Sequence, residues 1–129
     1  MDDSHDPVPA LARLLRAALV DNDLAALGAL LAPNVTWGDP HDPRGCRTRD
    51  DVMRNFARLA DQGVRAELLE VIEGTQGALA VMDVHWPVEH PHAARVVVHQ
   101  LYVARDGQVV EIRGFDDRAA ALEALDQPV

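Results

Sequence analysis

Asp39, His99 and Asp116 are the residues whose types and placement would serve proton chemistry. Asp39 ends the short extended segment Val35-Thr36-Trp37-Gly38-Asp39, where alternation puts Val35, Trp37 and Asp39 on one face. A carboxylate beside an indole in an apolar cavity has its pKa raised by desolvation, toward the range of a general base. Asp39 also precedes Pro40, where aspartate commonly serves as a turn residue with no chemistry at all. Both readings stand.

His99 and Asp116 meet through hairpin arithmetic. With Asp106-Gly107 as a two-residue turn, Arg105 opposes Gln108, Leu101 faces Ile112, His99 faces Gly114 and Val97 faces Asp116. Val97, His99, Leu101, Val103, Val110, Ile112 and Asp116 then share the face expected to meet the helices. Tyr102, Gln100, Glu111 and Arg113 fall on the other, wetter face. An inward histidine beside a carboxylate has its tautomer fixed and its pKa raised. Equally, the pair would be a satisfied core histidine, with Asp116-Asp117 capping the last helix.

Other chemistry-bearing residues read more plainly. Cys46 is the single cysteine, so it forms no internal disulfide, and an inert thiol is expected. Glu89-His90-Pro91-His92 lacks a third well-placed ligand and reads as a solvated loop, and no metal or other cofactor is expected. His41 stands beside Asp39 as a residue of the cavity mouth or as a bystander. A four-residue turn at Gly74-Thr75-Gln76-Gly77 pairs Ile72 with Leu79 and Leu68 with Asp83, aligning Asp83 and His85 with an apolar face. The alternative face of that strand carries Met82, Val84 and Trp86. Both are substantially apolar, which suggests a buried outer side and a homodimer through the sheet.

The elements that must hold these residues follow from periodicity. Residues 1–8 read as a loose acidic tail, 9–126 as one domain, and 127–129 as a tail. A helix from Pro9 carries Leu11, Leu14, Leu15, Ala18 and Leu19 on one stripe. Asp21-Asn22-Asp23 caps a second, with Leu24, Leu27, Leu30 and Leu31. Thr48 and Asp51 have capping-box spacing before a third, whose apolar face holds Val52, Phe56, Leu59 and Ala60. Four strands follow, at about 64–73, 78–86, 96–104 and 108–115, then an Ala-rich helix over 119–125. Helices first and a strand meander after give an α+β domain.

Composition narrows the partners. The chain has 129 residues, one domain's worth, and its 48% hydrophobic content supports a real core. A net charge of −9, with arginine supplying all the basic groups, argues against nucleic acid and anionic membranes. Neither a signal peptide nor an apolar run of about 20 residues is seen, so a soluble cytoplasmic protein is expected.

Element order, the paired leucine-rich helices joined at Asp23-Leu24, and the phrases VTWGDP, RGCRTRDDVMRNF and VHQLYVARDGQVV resemble the nuclear transport factor 2-like superfamily, in its SnoaL-like and ketosteroid isomerase-like branch. The resemblance covers about Pro9 to Leu125. It implies a cone-shaped curved antiparallel sheet with the N-terminal helices packed on its concave face. It also implies a pocket for an apolar small molecule, served by enzymes and non-catalytic binders alike. Against the ketosteroid isomerases, Asp39 matches the catalytic base, His99 the position of the oxyanion-binding aspartate, and Leu15 that of the second donor, a tyrosine. The expected activity is isomerase- or cyclase-type proton transfer on a carbonyl compound, Asp39 abstracting the proton and His99, oriented by Asp116, binding the enolate oxygen. The expected pocket residues are Leu15, Leu19, Trp37, His41, Phe56, Asp83, His85, Val97, Leu101 and Ile112. A ligand-binding module without chemistry and a protein-interaction domain are the rival expectations.

Overall fold

Short polar side chains decide where the helices begin. The computed structural model describes residues 7–38, 45–87 and 95–126. Helix α1 (Pro7–Val20) begins at the first of two prolines, slightly ahead of the expected Pro9, and a first turn tolerates proline because its amides lack intrahelical partners. Asp23 accepts from the Ala26 amide at 3.0 Å and opens α2 (Leu24–Leu30). Thr48 accepts from the Asp51 amide at 3.1 Å to open α3 (Arg49–Asp61). The Asp51 carboxylate reaches back to the Arg47 amide at 3.2 Å, one residue beyond the expected capping box. Asp117 accepts from the Ala120 amide at 2.7 Å and opens α4 (Arg118–Leu125).

The strands are β1 (Leu31–Trp37), β2 (Arg65–Glu73), β3 (Gly77–His85), β4 (Arg95–Arg105) and β5 (Gln108–Phe115). They form one curved, unclosed sheet in the order β1-β5-β4-β3-β2. Three neighbouring pairs are antiparallel, but β1 runs parallel to β5, so the sheet is mixed rather than antiparallel throughout. No hairpin ties β1 to β5; the chain returns to it only after α3 and three strands, so turn chemistry could not fix its direction.

Two one-residue bulges interrupt the antiparallel pairings of this sheet, and the β1–β5 pairing has a further irregularity between Leu31 and Thr36. Arg105 opposes Gln108 across the Asp106-Gly107 turn, where both residues have positive φ (54° and 79°), as the sequence predicts. One step later the register shifts: Ala104 pairs with Val109 and Val103 with Glu111, leaving Val110 as the extra residue. Tyr102 therefore faces Ile112, Gln100 faces Gly114 and His99 faces Phe115. The expected pairs Leu101–Ile112 and His99–Gly114 are off by one residue. The second bulge sits in β2: Ile72 pairs with Leu79 as expected, but Leu68 pairs with Met82 rather than Asp83, and Leu69 is the extra residue.

A one-residue shift turns every later side chain to the opposite face. Past its bulge, Ile112 joins Ala78, Ala80, Met82 and Tyr102 of the regular strands β3 and β4, with Leu11, Leu15, Leu27, Val35 and Val52, in a core under the three N-terminal helices. Leu79, Val81, Leu101 and Val103 form a second core on the other side, closed by Ala121, Ala124 and Leu125 of α4. Much of the outer apolar surface is therefore covered by this chain's own last helix. Arg118 adds a paired contact to Glu70, at 2.7 and 3.3 Å, but both groups are largely exposed and such pairs stabilise little.

Gly77 marks the tightest approach of backbone to backbone. Its φ is +153°, and a Cβ there would lie 2.1 Å from the Tyr102 carbonyl oxygen. Gly77→Ala is expected to destabilise by on the order of 2–4 kcal/mol, from clash plus strain. Chemical denaturation gives the value; a loss below about 0.5 kcal/mol, the range of a neutral surface change, would contradict this β3–β4 geometry.

Candidate functional site

A cavity of about 1150 Å³ lies between the concave face of the sheet and the helices. Helices α1 and α2 with their junction contribute Leu19, Asn22, Leu24 and Leu27; α3 contributes Phe56, Leu59 and Ala60. Ala66 and Leu68 come from β2, Met82 and Val84 from β3, and Val98, Gln100 and Tyr102 from β4, with Trp86 just beyond β3. Trp37, at the end of β1, stacks on Phe56 with ring centroids 4.7 Å apart and planes 28° from parallel. These walls are mainly apolar. Such a space favours a ligand that leaves water for hydrocarbon-like surroundings.

One polar pair stands out against that apolar background. Tyr102 is fully buried, and burial pushes its phenol pKa well up, so the hydroxyl stays protonated in any ordinary buffer. It donates to Gln100 Oε1 at 2.8 Å. Asn22, Arg65, Glu67 and His85 are further polar residues of the lining, and Asp23 is already engaged in capping α2.

The expected site residues divide across the sheet. Leu19, Trp37, Phe56 and His85 line the cavity. Leu15 and Ile112 are fully buried in the core behind it. Leu101 belongs to the α4 side, and Val97, on the same face of β4, is 49% exposed. His99 shares that face, between Val81 and Phe115, away from the cavity. Asp116 is exposed, and no ion pair joins it to His99 among the described residues. Asp39 and His41 lie outside the described residues, as do Glu89, His90 and His92. Trp37, two positions before Asp39, places the chain at the cavity wall.

Asp83 is the buried charged residue of the described chain, at 5% exposure. Its Oδ2 lies 3.6 Å from His85 Nε2. Glu67, its cross-strand partner, completes a group whose ligand atoms lie within 4.8 Å of one another. These donors are chemically suited to a divalent cation, and they are equally served by the Asp83–His85 contact.

The sequence reading placed Tyr102 and Gln100 on the wrong face and left the face of Met82 and Val84 open. The signal available was indirect: a lone tyrosine in an apolar strand needs a partner, and Gln100 is its nearest polar neighbour at strand period.

Known proteins agree with this geometry. The family model for the SnoaL-like domain matches residues 11–112. The chain belongs to the SnoaL-like family. Among solved structures, it is similar to a candidate polyketide cyclase from Sinorhizobium meliloti, with 20% identity over 83% of this chain and 94% of the other, at a TM-score of 0.64. It is also similar to a candidate ketosteroid isomerase from Kribbella flavida (19% identity, 88% and 79% covered, TM-score 0.67). A third is TerC, crystallised with polyporic acid (16% identity, 93% and 98% covered, TM-score 0.65). At these identities the likeness is one of fold, within the nuclear transport factor 2-like superfamily. No functionally curated protein matches the sequence. No helix among the described residues is long and apolar enough to cross a membrane.

Two outcomes follow for side chains outside the cavity. His99 Nδ1 is buried without a hydrogen-bond partner among the described residues, so His99→Leu is expected to leave stability unchanged or raise it by about 1 kcal/mol. A loss above about 2 kcal/mol on denaturation would show a partnered imidazole instead. Burial, then the nearby Asp51 carboxylate, pushes the Cys46 thiol up, against the weaker pull of Arg58 and Arg54. Less thiolate is present at any pH near neutrality, so Cys46 should react with iodoacetamide at pH 8 more slowly than free cysteine does. A faster reaction would mark an activated thiol.

Proposed function

We propose that the cavity binds an apolar small molecule carrying a carbonyl group, and that Asp39 acts on it as a general base. The observation that carries this reading is the cavity itself: apolar walls, a Trp37–Phe56 stack, and one polar pair facing in. Asp39 follows Trp37 by two residues in the sequence, and a carboxylate in apolar surroundings would be the more basic for it. The reaction is isomerase- or cyclase-type proton transfer. Asp39 takes the proton alpha to the carbonyl, the electron pair moves onto oxygen as an enolate, and the proton returns at another carbon. This chemistry asks for no cofactor. The neighbouring structures described as a candidate polyketide cyclase and a candidate ketosteroid isomerase support the reaction class by analogy of fold.

A binding protein without turnover is the second reading, and one observation favours it. His99 lies on the opposite face and Leu15 is core, so neither position of the expected oxyanion pair supplies a donor to the cavity. A homodimer is proposed through the part of the outer sheet face that α4 leaves open, where Val97 is half-exposed. Sedimentation would report it.

A thermal-shift screen against steroid ketones, aromatic polyketide-like ketones and polyporic acid tests the cavity. A ligand present at a hundred times its dissociation constant adds about 2.7 kcal/mol of stability, a rise of several degrees in Tm. With a ligand found, Asp39→Asn is expected to cut proton exchange at the alpha carbon by ~100-fold or more while the ligand still binds. Unchanged exchange would remove Asp39 as the base, and exchange absent from the native protein would leave the binding reading.

A further inference from the structure

The Tyr102–Gln100 pair fixes more than the core. A fully buried phenol must give its proton to an acceptor or bear the cost of an unmade hydrogen bond. Tyr102 gives it to Gln100 Oε1 at 2.8 Å. The amide group is planar, so committing Oε1 to Tyr102 also fixes the direction of the NH2. No hydrogen bond from that nitrogen forms among the described residues, and Gln100 is a half-buried residue of the cavity lining. Its cross-strand neighbours are both small. Ala80 flanks it on β3 and Gly114 on β5, and a Cβ built at Gly114 would meet nothing within 4 Å. Space is therefore left around this oriented donor in a mainly apolar wall.

We propose that Gln100 orients the ligand, its NH2 donating to a carbonyl or quinone oxygen of an apolar ring system, with Tyr102 as the positioning residue. This rests on the reading of the cavity as a ligand site. The ligand class it selects is narrow: flat or fused-ring hydrocarbon with an acceptor oxygen, and no donor required at that point.

The test compares benzanthrone, a four-ring ketone, with its deoxygenated hydrocarbon. Binding is followed by fluorescence and the bound carbonyl by infrared difference spectroscopy with a 13C label. In the native protein the bound ketone is expected to show its carbonyl stretch below the frequency it has in an apolar solvent. Gln100→Leu alone strands the Tyr102 hydroxyl and risks the fold, so the double variant Gln100→Leu with Tyr102→Phe removes both partners together. In it the stretch should return to the apolar-solvent value and ketone affinity fall roughly 3- to 10-fold, with hydrocarbon affinity held. Tyr102→Phe alone should broaden the band as the amide loses its anchor, which a merely structural role would not do. A bound ketone with an unshifted band, or a shift that survives the double variant, overturns the assignment and leaves the cavity standing. If neither compound binds the native protein, the cavity reading fails and the assignment with it.

Discussion

Which side chains of the outer antiparallel strands share a face with β3 and β4 depends on two extra residues, Val110 in β5 and Leu69 in β2. Side chains alternate with a period of two, so a bulge of one residue reassigns a whole strand relative to its neighbour. Beyond Val110, Ile112 joins Tyr102 and Gln100 on the helix side, while His99 and Leu101 face the other way. Without that bulge Ile112 would fall on the α4 side with Val110. With it, Ile112 packs behind a wall that carries a phenol and an amide bonded to each other.

The same reassignment explains how a thin domain buries two apolar faces. The N-terminal helices cover the concave side, and α4 covers Leu79, Val81, Leu101 and Val103 on the other. Aliphatic side chains buried in this way each contribute about 1.5–3 kcal/mol relative to exposure, so the short last helix is a structural necessity for the outer face. Its docking is sterically specified. A Cβ at Gly74 would come within 2.4 Å of Leu125 Cγ, and the Gln76 amide donates to the Leu125 carbonyl at 2.9 Å. Apolar residues on the outer face are thus explained first within the chain, before any second copy is invoked.

Local chemistry was legible in the sequence; non-local register was not. Asp23, Thr48 and Asp117 each cap the helix they were expected to cap, because an N-cap needs only a side-chain oxygen and the next three residues. Asp106-Gly107 announces its turn for the same reason. The bulge one step beyond it has no such signature: Val109-Val110 reads as ordinary strand, and the shift is settled by how β5 meets β4 and β1 together. The Ala104 amide is held by the Gln76 carbonyl at 2.9 Å, a contact between residues far apart in sequence. Leu19, Trp37 and Phe56 could be placed at the cavity because helix stripes and one short strand sufficed. Tyr102 and Gln100 could not, because which side of β4 meets the helices is decided by tertiary packing.

The cavity therefore has its chemistry written by register, and register is directly observable. A methyl-resolved nuclear Overhauser spectrum of the labelled protein tests it. Cross peaks from the Ile112 methyls to the Tyr102 ring, together with backbone contacts between Gln100 and Gly114, are predicted by this structure. Contacts from Ile112 to Leu101, with His99 opposite Gly114, would return the unbulged hairpin and contradict this register.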